Sequence, residues 1–214
     1  RLSATCVVLD STAREVARES CVLSPSGCDP ASRRFGEFAF DAPAGAYRIA
    51  ISVRDEAGGR GVFRAAGAVE PASTGLAISD IVMTCDSPGA AARDVVRLAP
   101  NLSRRVTGSD PWVGYFEVYR LASDANGRTR FEYEYTVRSE EKPAGGWLRR
   151  IFSGSHEPHV DVRSGEEGVG PLRRQFLSVP VQSLPPGRYR LEIQVRDRVS
   201  GATAWGEARF ERGG

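Results

Sequence analysis

The chain is almost devoid of lysine: Lys142 stands alone among 29 basic residues, and the rest are arginines. A GC-rich coding sequence accounts for that most simply. A surface built for bidentate anion contacts is the other reading. Histidine is nearly absent too, with only His156 and His159. No apolar run approaches the roughly 18 residues of a membrane-spanning helix, so no transmembrane segment is expected. No secretory leader is recognisable, yet the first residue is Arg1 rather than Met, which predicts a processed or excised N-terminus. There is no Gly-x-Ser-x-Gly elbow, no phosphate loop and no dinucleotide fingerprint, so neither an enzyme nor a cofactor is expected. A formal net charge of +2 leaves no electrostatic footprint for nucleic acid.

Metal and acid–base chemistry are equally thin. His156 and His159 could ligate a metal with Glu157 or Asp161 beside them, but a third convincing ligand is missing and solvated loop histidines are the plainer reading. Glu132 and Glu134 fall on one alternating strand face, whereas a glycosidase pair needs a cleft. Cys6, Cys21, Cys28 and Cys85 have neither metal-ligand nor Cys-x-x-Cys spacing. An even number of cysteines suits disulfides in an oxidising compartment, and three connectivities are open. Cys21 and Cys28 flank a Ser-Pro-Ser-Gly loop and are the expected pair, which leaves Cys6 with Cys85. Free buried thiols are the alternative.

The strongest feature present is a repeat. Residues 43–59 and 185–201 share Pro-x-Gly-x-Tyr followed by an alternating strand and Asp. Gly45 and Gly187, Tyr47 and Tyr189, Asp55 and Asp197, and Gly59 and Gly201 keep one offset of 142 residues. That spacing is domain-sized, so two copies of one β-rich module are expected rather than a solenoid. Tyr47, Ile49, Ile51 and Val53 point one way and Arg48, Ala50, Ser52 and Arg54 the other. Tyr189, Leu191, Ile193 and Val195 repeat the pattern. A period of two with β-branched residues predicts a half-buried antiparallel strand. Asp55 and Asp197 end it, each able to bond its own backbone two residues on.

Other segments extend the correspondence. Leu2–Leu9 and 14–22 read as a hairpin about a turn at Asp10, matched by 115–121 and 129–138 about a turn at Asp124. Further strands are expected at 35–40, 61–69, 76–84, 176–181 and 203–211. Pro-x-Gly-x-Tyr resembles the corner before strand F of immunoglobulin and fibronectin type III sandwiches, where a Tyr hydroxyl returns to the backbone. The expected fold is therefore all-β, with two tandem sandwiches of that kind: residues 1–72, truncated or incomplete, and residues 73–214. The second copy is longer, with an insert near residues 140–170. That insert holds Trp147, Leu148, Arg149, Arg150, Ile151 and Phe152. Its aromatic and arginine content suits a partner-binding anchor, unless these side chains simply cap an open end of the sandwich. Trp112 and Trp205 are expected in the core.

The second half also resembles the C-terminal region of bacterial GWxTD-domain proteins. The features are Ile78-Ser79-Asp80-Ile81-Val82, Tyr115-Phe116-Glu117-Val118-Tyr119-Arg120-Leu121, the Trp147-to-Phe152 stretch, and Leu184-Pro185-Pro186-Gly187 before the Tyr189 strand. The signature Gly-Trp-x-Thr-Asp is absent, since Leu148 and Arg149 follow Trp147. The resemblance implies an exported bacterial protein without assigned enzyme activity. The function expected is that of a non-enzymatic extracytoplasmic structural or interaction protein, periplasmic or at the cell surface. It would be an accessory subunit docking on a larger assembly, for which a membrane-bound complex is a candidate. The alternative is a carbohydrate- or ligand-binding β-sandwich module.

Overall fold

The computed structural model describes residues 1–25, 34–71, 73–85, 98–108, 111–140 and 162–213. Among these there is no helix, and strands make up 62%. The chain divides into two compact units, Arg1–Ser73 and Thr74–Gly214.

The described residues of the first unit centre on one four-stranded antiparallel sheet. Its strands are β1 (Leu2–Leu9), β2 (Glu15–Val22), β5 (Gly45–Asp55) and β6 (Arg60–Val69), in the order β2-β1-β5-β6. Two short strands, β3 (Ser24–Pro25) and β4 (Arg34–Phe35), form a separate pair. The strand expected over 35–40 stops at Phe35. Gly36 there comes so close to the Cys21 sulfur and the Leu23 side chain that a Cβ would clash. The chain then bonds to the sheet through a side chain, the Ala39 amide donating to Glu19 Oε2 at 3.2 Å.

The second unit has two sheets. Its strands are β7 (Ala77–Ile78), β8 (Val82–Thr84), β9 (Arg105–Val106), β10 (Trp112–Tyr119), β11 (Arg128–Ser139), β12 (Val162–Val169), β13 (Arg173–Val179), β14 (Gly187–Asp197) and β15 (Thr203–Arg212). One sheet runs β13-β10-β7 with β8 also on β10; the other runs β12-β11-β14-β15-β9, where β9 joins β15 in parallel. Their facing side chains build one core: Trp112, Phe116 and Val118 from the first sheet meet Val137, Leu191, Ile193 and Val195 from the second, all with no exposed surface. Phe116 meets Tyr133 edge-on at 6.0 Å across the gap, a favoured aromatic geometry. The Trp112 indole lies so close over Gly114 that any side chain there would collide with it.

Both Tyr corners form as the motif predicts. Tyr47 donates its hydroxyl to the Pro43 carbonyl, and Tyr189 to the Pro185 carbonyl, each at 2.7 Å. The earlier correspondence between the copies does not hold. β1 pairs with β5 as Ala4↔Val53, Cys6↔Ile51 and Val8↔Ile49, and β11 pairs with β14 as Tyr133↔Val195, Tyr135↔Ile193 and Val137↔Leu191. Thus β1 matches β11, not β10, and β2 matches β12. Part of the expected insert is therefore strand β12. No counterpart of the sheet β13-β10-β7 occurs among the described residues of the first unit.

Candidate functional site

Two sites expected from sequence lie outside the described residues: the Trp147, Leu148, Arg149, Arg150, Ile151 and Phe152 segment, and His156, Glu157, His159 and Asp161. The cysteines require a correction. Cys6 and Cys21 are free thiols, so neither the Cys21–Cys28 nor the Cys6–Cys85 bond forms. Burial first, and the Glu19 carboxylate second, push both thiols above their ordinary range, so neither is a ready thiolate. Cys85 is not among the free thiols, and Cys28 lies outside the described residues. Among the described residues no three His, Cys, Asp or Glu side chains converge on a metal position, and no helix is long and apolar enough to cross a membrane.

Trp205 requires the second correction. Trp112 is core, but Trp205 is 64% exposed. The alternation of β15 explains it. Ala204, Gly206, Ala208 and Phe210 turn inward, so Thr203, Trp205, Glu207 and Arg209 turn outward. The outer face of this sheet is a ladder of opposite charges across strands. Arg138 reaches Glu192 at 3.6 Å, Arg190 reaches Glu192 at 3.3 Å and Glu207 at 3.9 Å, and Arg209 reaches Glu207 at 3.0 Å and Glu140 at 2.9 Å. Such exposed pairs contribute little stability, but they give the face that carries the exposed indole a dense set of charged donors and acceptors, with Glu192 and Glu207 nearest it. Beside Trp205 opens a cleft of about 410 Å³, lined by Ile78, Ser79, Asp80, Glu192, Trp205, Gly206 and Glu207. Ile78 Cδ1 would stand 3.3 Å from a Cβ on Gly206, so the missing side chain admits β7 there.

Behind this cleft a polar network fixes the segment after β7. The Glu117 amide donates to Ser79 Oγ at 2.9 Å, the Ser79 amide donates to the Glu117 carbonyl at 2.9 Å, and Ser79 Oγ donates to the Asp80 carbonyl at 2.8 Å. The Glu117 carboxylate accepts from the Tyr115 and Tyr119 hydroxyls and from Arg174 Nε at 3.3 Å. Burial alone would raise the Glu117 carboxyl, but these donors outweigh it and hold it below the usual range. Burial and the same carboxylate push Tyr119 up to about 12 and Tyr115 higher still. Both Glu117 carboxylate oxygens are thus satisfied locally. The network positions Ser79 and Asp80 and has no group poised for proton transfer.

No protein-family model and no curated protein matches the chain. Among solved structures it is similar to a tetra-tandem repeat from the extending region of a large adhesion protein, at 14% identity and a TM-score of 0.33. It is also similar to a protein from Corynebacterium diphtheriae described as membrane anchored, at 11% and 0.25. A third is SGBP-B of the Bacteroides ovatus mixed-linkage glucan utilization locus, solved with a mixed-linkage heptasaccharide, at 13% and 0.20. These matches cover 99%, 100% and 99% of this chain but only 42%, 52% and 37% of the others. Likeness this weak defines neither a family nor a ligand.

Proposed function

We propose that the chain is a non-enzymatic interaction protein of the bacterial cell exterior, an accessory subunit whose first unit docks on the β-sheet of another protein. One observation carries this reading. Two sheets share the same strand register, and among the described residues only one of them is covered throughout: on the first, Ala4, Cys6 and Val8 of β1 are buried, but β5 and β6 stay partly open. On β14, Tyr189, Leu191, Ile193 and Val195 are 2%, 0%, 0% and 0% exposed; on β5, Tyr47, Ile49, Ile51 and Val53 are half-buried. Next to them on the same face, Phe63 is 61% exposed. An apolar sheet face left half open to water is a binding surface or a liability.

The second unit shows what such a face accepts: antiparallel strands presenting Trp112, Phe116, Val118, Leu177 and Val179. The partner is therefore a sheet with large apolar side chains at alternate positions. It must have a small residue opposite Phe63, because the equivalent of Phe63 on β15 is Gly206. In this reading the second unit is an immunoglobulin or fibronectin type III sandwich, and the likeness to GWxTD-type C-terminal regions rests on its strand motifs. The Trp147-to-Phe152 segment is a second contact of the same assembly.

A photo-cross-linking side chain at position 63, in cells of the native source, tests the docking. The expected product joins residue 63 to an alternating apolar strand of one other protein, while the same probe at Arg196 on the second unit gives none. No adduct at 63, or equal yields at 63 and 196, overturns it. In a parallel test, Trp147, Ile151 and Phe152 are replaced by Ser. Lost capture with melting unchanged is expected. A large fall in stability with capture retained makes that segment core instead.

A further inference from the structure

We propose that the cleft beside Trp205 is a binding site for a neutral saccharide, with the indole as its stacking platform. The site lies wholly within the second unit, so the inference does not rest on the docking of the first.

Three observations converge. The first is Trp205 itself, 64% exposed on a strand face whose neighbouring outward positions are charged or hydroxylated. It gives the core nothing, since the inward positions of β15 already supply that face. A flat apolar plate in a polar setting suits a ligand with one apolar face and a polar rim. A pyranose ring has that form, with C–H groups on its face and hydroxyls at its edge.

The second is the charge pattern. Glu192 and Glu207 stand opposite each other on β14 and β15, and Arg190 reaches both. Arg138 adds a second cation to Glu192 and Arg209 a second to Glu207. The carboxylates are thus compensated before any ligand arrives. A cationic ligand gains little there, and an anion meets Asp80, Glu192 and Glu207 together. Neutral hydroxyls fit better. The carboxylates of Asp80, Glu192 and Glu207 line the cleft, and each has lone pairs to accept an O–H. Planar carboxylate acceptors on one rim suit the vicinal hydroxyls of a sugar, which donate.

The third is the shape. A volume of about 410 Å³ falls in the ~300–1,000 Å³ range of small-ligand sites. Gly206 lets Ile78 pack against the strand, which brings Ser79 and Asp80 to the rim. The Ser79 hydroxyl is committed to the Glu117 amide and the Asp80 carbonyl. The rim is therefore built before the ligand binds, which lowers the ordering cost of binding.

The test uses the intact chain on an array of immobilised neutral and acidic glycans, followed by affinity electrophoresis in soluble β-glucan, α-glucan and galactomannan. Tetramethylammonium chloride serves as the cationic probe. The expected result is retention by at least one neutral hexose polymer. Trp205→Ala weakens it at least tenfold with melting unchanged, and Glu207→Gln weakens it severalfold. Should Trp205→Ala fail to fold, Trp205→Phe and Glu207→Gln carry the comparison. The proposal is overturned if no glycan is retained, if retention survives Trp205→Ala, or if only acidic glycans or tetramethylammonium bind. Lost saccharide binding with cross-linking at position 63 intact separates this site from the docking face.

Discussion

Tyr47, Ile49, Ile51 and Val53 in the first unit and Tyr189, Leu191, Ile193 and Val195 in the second occupy the same positions of the same strand. They have the same register against the neighbouring strand and the same Tyr-to-carbonyl bond at its start. Their surroundings differ completely. The second set is sealed by β10 and β13; the first is half open to water. Local chemistry therefore makes the strand and its corner, but it does not make the core. A side chain gains the full ~1.5–3 kcal/mol of burial only when a second layer removes it from water. The terminal aspartates repeat the contrast. Asp55 accepts one amide, from Gly59 at 2.6 Å. Asp197 is fully buried and accepts the Ala122 and Val199 amides at 2.8 Å each and the Ser200 hydroxyl at 2.7 Å.

The comparison breaks most visibly in the core. Leu191→Ala should lower unfolding stability by about 3 kcal/mol, the cost of a cavity in a closed core. Ile49→Ala should cost far less, because water fills the space. Urea denaturation of the intact chain reads both, and equal losses would mean that the first sheet is covered in solution.

The next effect belongs to Asp197. Asp197→Asn should cost about 2 kcal/mol, since hydrogen bonds to a charged group are lost at a buried position; Asp55→Asn should cost much less. Burial would raise the Asp197 carboxyl, but the Ala122 amide, the Ser200 hydroxyl and the Val199 amide hold it below the ordinary value. A depressed folded-state pKa contributes stability that is complete above the unfolded value and is lost as pH falls through the folded one. The wild type should therefore lose stability on acidification below about pH 4, and Asp197→Asn should flatten that limb. An unchanged acid limb would remove Asp197 as its source.

A smaller difference is expected at the corners. Tyr189→Phe should cost about 1 kcal/mol, a typical net hydrogen bond, and Tyr47→Phe less, because its exposed partner carbonyl turns to water. Smallest is Phe63→Ser, within about 0.5 kcal/mol in the free protein. Its consequence should appear only as a lost cross-link to the partner.

Much of this was legible from periodicity. Alternation locates β1, β5, β11, β14 and β15 to within two residues of their ends, and the Pro-x-Gly-x-Tyr motif foretells both hydroxyl bonds. The correspondence of the hairpins was misread for a physical reason. Asp10 bonds the Thr12 and Arg14 amides, and Asp124 the Asn126 and Arg128 amides, in the same turn. One turn joins β1 to β2 and the other β10 to β11, so identical turn chemistry marks non-equivalent hairpins. Strand β12, with Gly165 and Gly168 among its residues, had too little apolar alternation to be seen. Trp205 was assigned to the core because aromatics usually are. Strict alternation from Phe210 places it outside, and that signal was available.

The sequence alone suffices for most of the long strands, the two Tyr corners and the all-β class. Each of these follows from φ/ψ preference, a period of two and turn chemistry acting over a few residues. The tertiary structure alone decided which apolar faces are sealed, which cysteines remain thiols, and that Trp205 meets Asp80, Glu192 and Glu207 at one cleft. Those outcomes depend on which sheet lies over which, a pairing between residues tens of positions apart that no local pattern encodes.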